Sequence, residues 1–158
     1  MAVGRERVDV LLVCSPGGHA LQLHALAGAW AGRRRVWVTL DKPDVRSLLA
    51  EEPVVFAHGP TNRSVLNLVR NLWLALRVIH RCRPAAIVTT GAALAVPFGW
   101  IGRLYGARVV YVETVTRFDS VSLACRLIHP VASRIYVQWE DLVPLVRGAR
   151  FAGAVFSE

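Results

Sequence analysis

The stretch V-D-V-L-L-V-C-S-P-G-G-H, residues 8–19, joins an apolar run to a glycine-rich turn. The apolar residues 8–14 have the length of a buried strand, and a helix-like segment follows the turn. A glycine turn between a strand and a helix exposes backbone N–H groups at the positive end of the helix, which favours an anion such as phosphate. His19 places a titratable ring on the same turn. The stretch predicts an α/β fold with transfer chemistry on a phosphorylated substrate.

Along the rest of the chain, short β-rich runs alternate with helix-length segments. The strand candidates are Val8–Cys14, Arg35–Leu40, Val54–Ala57, Ala86–Thr90, Ala107–Glu113 and Arg134–Gln138. The helix candidates are Gly18–Ala31, Asp44–Ala50, Arg63–Arg81, Ala92–Tyr105, Ser120–His129 and Glu140–Arg147. Strands that are apolar on both faces and separated by helices predict a doubly wound, mostly parallel α/β sheet, which is Rossmann-like. Ligands bind such sheets at the carboxyl ends of the strands.

Size and composition limit the possible functions. The 158 residues fit a single domain, residues 1–158. The net charge of +8 indicates an anionic partner, which is nucleic acid, anionic lipid or a phosphorylated substrate. Three cysteines without C-x-x-C spacing support neither a disulfide framework nor a metal site, and reduced thiols fit a cytoplasmic protein. We expect no membrane span, because prolines and glycines interrupt the uncharged run 84–102.

The glycine turn allows more than one interpretation. Asp41 follows the second strand candidate, where an NAD-binding oxidoreductase holds the ribose, but the turn has only Gly17 and Gly18 in place of G-x-G-x-x-G. His19 is either a general base for a sugar hydroxyl, since an unperturbed imidazole titrates near pH ~6.5, or a helix N-terminal residue bonded to a neighbour. The residues alone leave both roles of His19 open.

The segment Arg63–Arg83 contains five arginines and no acidic residue. At about 100° per residue, four of the arginines fall on one stripe that includes Leu74 and borders Trp73. Arginines among leucine and tryptophan are typical of an interfacial helix on anionic headgroups. The residues expected to face a membrane are Arg63, Arg70, Trp73, Leu74 and Arg77. The alternative is a helix packed on the sheet with a solvated basic face. Nucleic acid is a less favoured partner, because the arginines do not alternate with stacking aromatics across a sheet.

Polar residues also end the fifth and sixth strand candidates. Glu113 lies on the same predicted rim as the glycine turn, which favours a substrate contact over a buried structural acid. Gln138 and Trp139 either cap the core or face a partner, and the residues alone leave that choice open.

Five motifs resemble one group of split glycosyltransferases. They are S-P-G-G-H (15–19), T-G-A-A-L-A-V-P-F (90–98), Y-V-E-T-V-T-R (111–117), S-R-I-Y-V-Q-W (133–139) and F-A-G-A-V-F (151–156). The group includes the membrane-recruiting subunit of the eukaryotic N-acetylglucosaminyltransferase that adds the second sugar to dolichol diphosphate. It also includes PssD-type subunits of bacterial polysaccharide biosynthesis. The undivided relatives are of the MurG type, and the resemblance implies the N-terminal half of a GT-B fold.

The resemblance implies an inverting glycosyltransferase subunit that is inactive without a partner. This chain would bind a polyprenyl-diphosphate-linked acceptor, and a separate subunit would bind the UDP-sugar, with no cofactor. The sequence ends about where the undivided enzymes enter their second domain. The implied site residues are His19 and Glu113 for catalysis, Ser15, Gly17, Gly18, Thr114 and Arg117 for the acceptor diphosphate, and Gln138, Trp139, Phe151 and Phe156 for the partner.

The eukaryotic subunit has an N-terminal membrane helix, which is not visible in this sequence. We therefore expect peripheral attachment to an anionic membrane surface, at the cytoplasmic face of the plasma membrane, through the segment 63–83. The alternative function is a non-catalytic scaffold that recruits the partner to the bilayer.

Overall fold

The computed structural model describes residues 7–61 and 64–156, and within these ranges seven strands form one parallel sheet. The strands are β1 Val10–Val13, β2 Arg35–Leu40, β3 Val54–Ala57, β4 Ala86–Thr89, β5 Arg108–Val112, β6 Arg134–Val137 and β7 Ala149–Phe151. The helices are α1 Gly18–Ala25, α2 Pro43–Leu48, α3 Val65–Cys82, α4 Ala95–Leu104 and α5 Leu123–Ile128. Two 3-10 helices cover Ala27–Trp30 and Glu140–Leu145.

The strand order is β3-β2-β1-β4-β5-β6-β7, so the chain moves outward from β1 to β3 and then returns to the other side of β1. The predicted doubly wound parallel α/β fold is confirmed. The direction of winding reverses between β1 and β4, which is where open α/β sheets bind ligands. A ligand site is therefore expected at the loops after β1 and β4.

Alternate residues of each strand pack on opposite faces of the sheet. Leu11 and Val13 of β1 pack with α3 and α4 on one face, and α5 packs on the same face over β5 and β6. Val10 and Leu12 pack with α1 and α2 on the other face. The two faces of β1 are therefore both buried, as its unbroken apolar run predicts.

Two predicted helices differ from those in the structure. The segment 18–31 is not one helix: α1 ends at Ala25, and a 3-10 helix that contains Gly28 follows. Glycine is a poor helix former, which accounts for the break. The segment 140–147 is a 3-10 helix ending at Leu145, with Pro144 inside it, and proline removes a backbone donor that an α-helix needs.

The edge strand β7 was not predicted. It has only three residues, includes the exposed Arg150, and pairs along one side with β6. Such a short strand has no apolar alternation that a sequence pattern could detect. Phe151, which the resemblance assigns to the partner surface, ends this strand opposite Val137.

Candidate functional site

The glycine turn lies at the reversal point between β1 and β4. Gly17 caps α1 with φ of 75°, a left-handed conformation that glycine adopts readily. The His19 ring is bonded through Nδ1 to the backbone oxygen of Thr90, at 2.8 Å, and the Thr90 hydroxyl donates to the His19 backbone oxygen, also at 2.8 Å. These two bonds join the turn after β1 to the end of β4.

The hydrogen bond to Thr90 determines the tautomer of His19. A carbonyl oxygen only accepts, so Nδ1 carries the hydrogen and Nε2 of the neutral ring keeps its lone pair. The ring therefore has one nitrogen fixed by the backbone and one able to accept a proton. This is the arrangement that a positioned general base requires.

A cleft of about 700 Å³ opens beside this turn. Its lining includes Ser15 and His19 from the turn, Asp41 and Lys42 after β2, Gly59, Pro60 and Thr61 after β3, and Ala92 and Ala93 after β4. The cleft is thus built from the carboxyl ends of four neighbouring strands. Of the predicted site residues, the structure brings Ser15 and His19 into it.

A second turn begins at Gly91 and contributes Ala92 and Ala93 to the wall of the cleft. Gly91 has φ of 101°, and a Cβ atom there would lie 2.6 Å from the Tyr111 hydroxyl oxygen. Ala92 also has a positive φ, of 67°, which is strained for a residue with a side chain. The sequence motif at 90–98 contains this turn, but the sequence does not predict the backbone conformation of the turn.

The N-terminus of α1 already has an anionic neighbour. The Gly17 N–H donates to a carboxylate oxygen of Asp44, in the first turn of α2, at 2.7 Å. Both residues are exposed. A carboxylate thus occupies the position where the sequence predicts a phosphate, as expected for the positive end of a helix. A phosphate bound to Gly17 would have to displace Asp44.

Glu113 is fully buried and does not line the cleft of the described chain. Its carboxylate accepts hydrogen bonds from the backbone N–H groups of Thr114, at 3.0 Å, and Ser122, at 2.9 Å, and from the Tyr111 hydroxyl at 3.3 Å. Burial, and then the Glu113 charge, raise the pKa of Tyr111 above its usual value. The geometry favours the buried structural acid over the substrate contact that we expected, because an accessible carboxylate is needed for catalysis.

Thr114 and Arg117 lie on the loop after β5. In the described part of the chain, neither residue lines the cleft. Thr114 is half-buried and Arg117 is exposed. This loop is held by Gln22, a buried α1 residue that no sequence motif marks. Gln22 donates to the Glu113 backbone oxygen at 2.8 Å and accepts from the Val115 N–H at 3.0 Å. A glutamine within an apolar helix gives no sequence signal for such a contact.

The four predicted partner residues divide into two groups. Gln138 is buried, and its side-chain oxygen accepts a hydrogen bond from the Val155 N–H at 2.8 Å, so it holds the C-terminal segment and does not face a partner. Trp139, Phe151 and Phe156 are each 39–49% exposed. Trp139 also donates from Nε1 to the Val115 backbone oxygen at 2.8 Å, which fixes the ring while the side chain stays partly exposed.

Helix α3 carries a large exposed apolar surface. It begins after Ser64, whose hydroxyl accepts from the Asn67 N–H. We call its exposed apolar side chains the α3 surface; they are Val65, Leu66, Leu68, Val69, Leu72 and Trp73. Arg70 and Arg77 are exposed on the same helix.

The structure corrects one of the predicted membrane-facing residues on α3. Leu74 is half-buried and packs against the core, so it does not belong with the exposed residues. Arg63 lies outside the described residues. In the ranges 7–61 and 64–156, no helix has both the length and the hydropathy needed to cross a bilayer.

Comparison with known proteins matches residues 57–155 to the family "Oligosaccharide biosynthesis protein Alg14 like". The chain is 22% identical over 169 residues to the UDP-N-acetylglucosamine transferase subunit ALG14 of Homo sapiens, covering 87% of this chain and 78% of that protein. It is 33% identical over 117 residues to the corresponding subunit of Eremothecium gossypii, covering 68% and 52%.

Solved structures give the same fold. Acinetobacter baumannii MurG superposes with a TM-score of 0.74 at 16% identity, covering 95% of this chain and 47% of that one. The UDP-GlcNAc 2-epimerase of Neisseria meningitidis gives 0.72 at 11%, covering 93% and 47%. The chain spans about half the length of these two proteins. The predicted resemblance to this group is confirmed: the protein belongs to the Alg14-like family of oligosaccharide biosynthesis proteins.

Proposed function

We propose that this protein is the acceptor-binding subunit of a two-component inverting glycosyltransferase. The enzyme transfers a sugar from a UDP-sugar to a polyprenyl-diphosphate-linked acceptor in polysaccharide or oligosaccharide biosynthesis. The observation that carries the proposal is His19, fixed by Thr90 at the reversal point of the sheet, beside an open cleft. Membership of a family whose relatives are named as UDP-N-acetylglucosamine transferase subunits supports the donor class and a second subunit.

In this proposal the chain contributes the acceptor side of the reaction. Nε2 of His19 removes the proton from the acceptor hydroxyl while that oxygen attacks the anomeric carbon and UDP leaves from the opposite side. Ser15 and Lys42, which line the cleft, contact the acceptor diphosphate. The exposed backbone of Gly17 and Gly18, beside the lining residues, donates to it. The donor lies on the partner, which contacts Trp139, Phe151 and Phe156. An assay of the chain with and without the donor-binding subunit tests this division: turnover by the chain alone contradicts it.

If Gly17 binds the acceptor diphosphate, Asp44 competes with it. We expect Asp44→Asn to strengthen binding of inorganic pyrophosphate about fivefold, because a carboxylate about 4 Å from a phosphate charge costs ~1 kcal/mol in a solvated site. Calorimetry on the isolated chain measures this. The matched control is Asp9→Asn. Asp9 also accepts a hydrogen bond from a backbone N–H, that of Arg34 at 2.9 Å, but it precedes β1, at the amino-terminal end of the strands. Equal affinities of the wild type and Asp44→Asn would place the diphosphate away from Gly17.

We further propose that the α3 surface binds the anionic membrane at its cytoplasmic face, as a peripheral attachment. An exposed apolar patch on one helix is unusual for a monomeric soluble protein and marks an interaction site. Trp73 is 62% exposed, and the flanking Arg70 and Arg77 add attraction to anionic headgroups.

The membrane proposal predicts loss of vesicle binding when charge is placed on the α3 surface. Leu66→Glu combined with Trp73→Glu should lower partition into anionic vesicles at least about tenfold. Two apolar contacts with the bilayer are then replaced by carboxylates that repel the anionic headgroups. Sedimentation with vesicles measures the partition. Leu21→Glu with Phe118→Glu is the matched control, since both residues are exposed and lie on other elements. An equal loss in the control pair would refute a specific role for α3.

A non-catalytic scaffold is the second candidate function, and the α3 surface is the observation that favours it. In a scaffold, His19→Ala leaves turnover of the complex unchanged, whereas charge on the α3 surface releases the complex from membranes.

A further inference from the structure

We propose that a basic pocket beside α5 binds the headgroup phosphate of an anionic phospholipid. This inference rests on the membrane attachment proposed above and adds to it a second, chemically selective contact on another helix. The pocket has a volume of about 480 Å³ and lies between α5 and the end of the second 3-10 helix. It is separate from the cleft at His19, with which it shares no lining residue in the described chain.

The charge of the pocket is one-sided. Eight residues of the described chain line it; Arg126, His129 and Arg147 are basic, and none of the eight is acidic. Asp119 is the neighbouring acid in sequence, and its carboxylate accepts a hydrogen bond from the hydroxyl of the lining residue Ser120 at 3.0 Å. Arginine guanidinium groups match the oxygens of a phosphate in geometry and charge. The pocket therefore favours a phosphate-bearing anion.

The pocket is held together by contacts between distant parts of the chain. His129 donates from Nε2 to the Arg147 backbone oxygen at 2.9 Å, which fixes the turn before β7 against the end of α5. Arg126 and Arg147 are thereby kept beside one space. Cys125 lies at its base, and burial raises the pKa of this thiol to about 12, so it contributes no negative charge.

Exposed leucines lie at the pocket and on the helix beside it. Leu145 lines the pocket and is 56% exposed, and Leu123 and Leu127 are exposed on α5. Helix α4 packs between α3 and α5 on the same face of the sheet. It exposes Trp100, whose Nε1 donates to the Leu127 backbone oxygen at 3.0 Å. Exposed apolar side chains thus occur on α3, α4 and α5, which pack on one face of the sheet.

This combination identifies the ligand as a lipid and not a free anion. A soluble phosphate would bind the arginines but leave the neighbouring exposed leucines in water. A phospholipid in a bilayer places its phosphate at the level of the arginines and its acyl chains beside the leucines. The pocket then selects membranes that contain anionic phospholipid.

The test compares vesicles of phosphatidylcholine with vesicles that also contain phosphatidylglycerol. The wild type should bind the anionic vesicles more tightly, and Arg126→Gln with Arg147→Gln should lower that preference at least about tenfold, since each arginine near an anionic surface contributes ~1 kcal/mol. The control is Arg33→Gln with Arg108→Gln, which removes the same charge from exposed positions that line a different cavity. It should lower the preference about twofold at most. Thermal unfolding of each variant checks that it is folded.

The possible outcomes separate this inference from the proposed membrane attachment. If the control pair loses as much preference as the pocket pair, the headgroup pocket is refuted and the α3 attachment stands. If the wild type binds both kinds of vesicle equally, the headgroup pocket and the attraction of Arg70 and Arg77 to anionic headgroups are both refuted, and only the apolar contact of α3 with the bilayer stands. If the wild type binds neither kind of vesicle, both are refuted. Inorganic phosphate, added as a competitor, should leave vesicle binding unchanged. Displacement by millimolar phosphate would make the pocket a site for free phosphate and overturn the lipid assignment.

Discussion

His19→Ala is expected to lower kcat of the complex with its donor-binding subunit by about two to four orders of magnitude. The reason is the fixed tautomer: the Thr90 backbone oxygen holds the hydrogen of Nδ1, so Nε2 is the nitrogen that takes up the proton of the acceptor hydroxyl. Alanine removes both the base and the bond that joins the glycine turn to β4.

A second variant separates these two losses. In His19→Asn, the side-chain amide can still donate to the Thr90 oxygen but has no basic nitrogen. We expect kcat to fall as far as in His19→Ala, whereas the KM for the acceptor stays near the wild-type value. Steady-state kinetics of the complex measure both. His24→Ala is the control on the same helix, since its ring packs near Trp37 outside the cleft. A change in kcat of only a few-fold in both His19 variants would remove the role as a base.

Glu113→Ala should have the largest effect on stability. The substitution removes a fully buried acceptor and leaves the backbone N–H groups of the half-buried Thr114 and Ser122 without a partner; each unsatisfied group costs about 1–3 kcal/mol. We expect the free energy of unfolding to fall by about 3–5 kcal/mol. Chemical denaturation of the isolated chain measures it.

The matched variants make the Glu113 experiment specific. Glu113→Gln keeps one acceptor oxygen and should lose about half as much stability, whereas the exposed Glu140→Ala should change it by less than ~0.5 kcal/mol. A stable Glu113→Ala protein with greatly reduced turnover would return this carboxylate to the catalytic role that the sequence suggested.

The sequence predicts those parts of the fold that depend on local pattern. Both β2 and β3 begin and end at the predicted residues, because each is an apolar run bounded by polar or turn residues. The spatial order of the strands, and with it the reversal point, comes from the structure, because order along the chain does not specify which strands pair. The strand β7 was also missed, since three residues at an edge leave no periodic signal.

The candidate site was predicted less completely, because its contacts join residues far apart in the chain. The turn and His19 were evident from the glycine motif, but the bond from His19 to Thr90 crosses 71 positions. Asp44 reaches Gly17 across 27 positions and appears in the sequence as an ordinary helix-starting acid. Glu113 and Gln138 were predicted as the last residues of their strands but lie one residue past β5 and β6, and their side chains turn inward to bind backbone groups. Strand position alone does not distinguish an inward from an outward side chain.

Trp139 connects two parts of the proposed function. Its indole N–H donates to the Val115 backbone oxygen. The Val115 N–H in turn donates to the side chain of Gln22 in α1. A partner that packs on the exposed part of Trp139 would therefore lie next to the loop after β5, which α1 also supports. The proposed partner surface and α1 are thus connected through the backbone of Val115.

Calorimetry on the isolated chain tests the central claim most directly, because the claim assigns the acceptor to this protein and the sugar donor to another. We predict measurable binding of a short-chain polyprenyl diphosphate, weakened by His19→Ala, and no binding of UDP-N-acetylglucosamine at the same concentrations. Tight binding of the nucleotide sugar by the isolated chain would contradict the account.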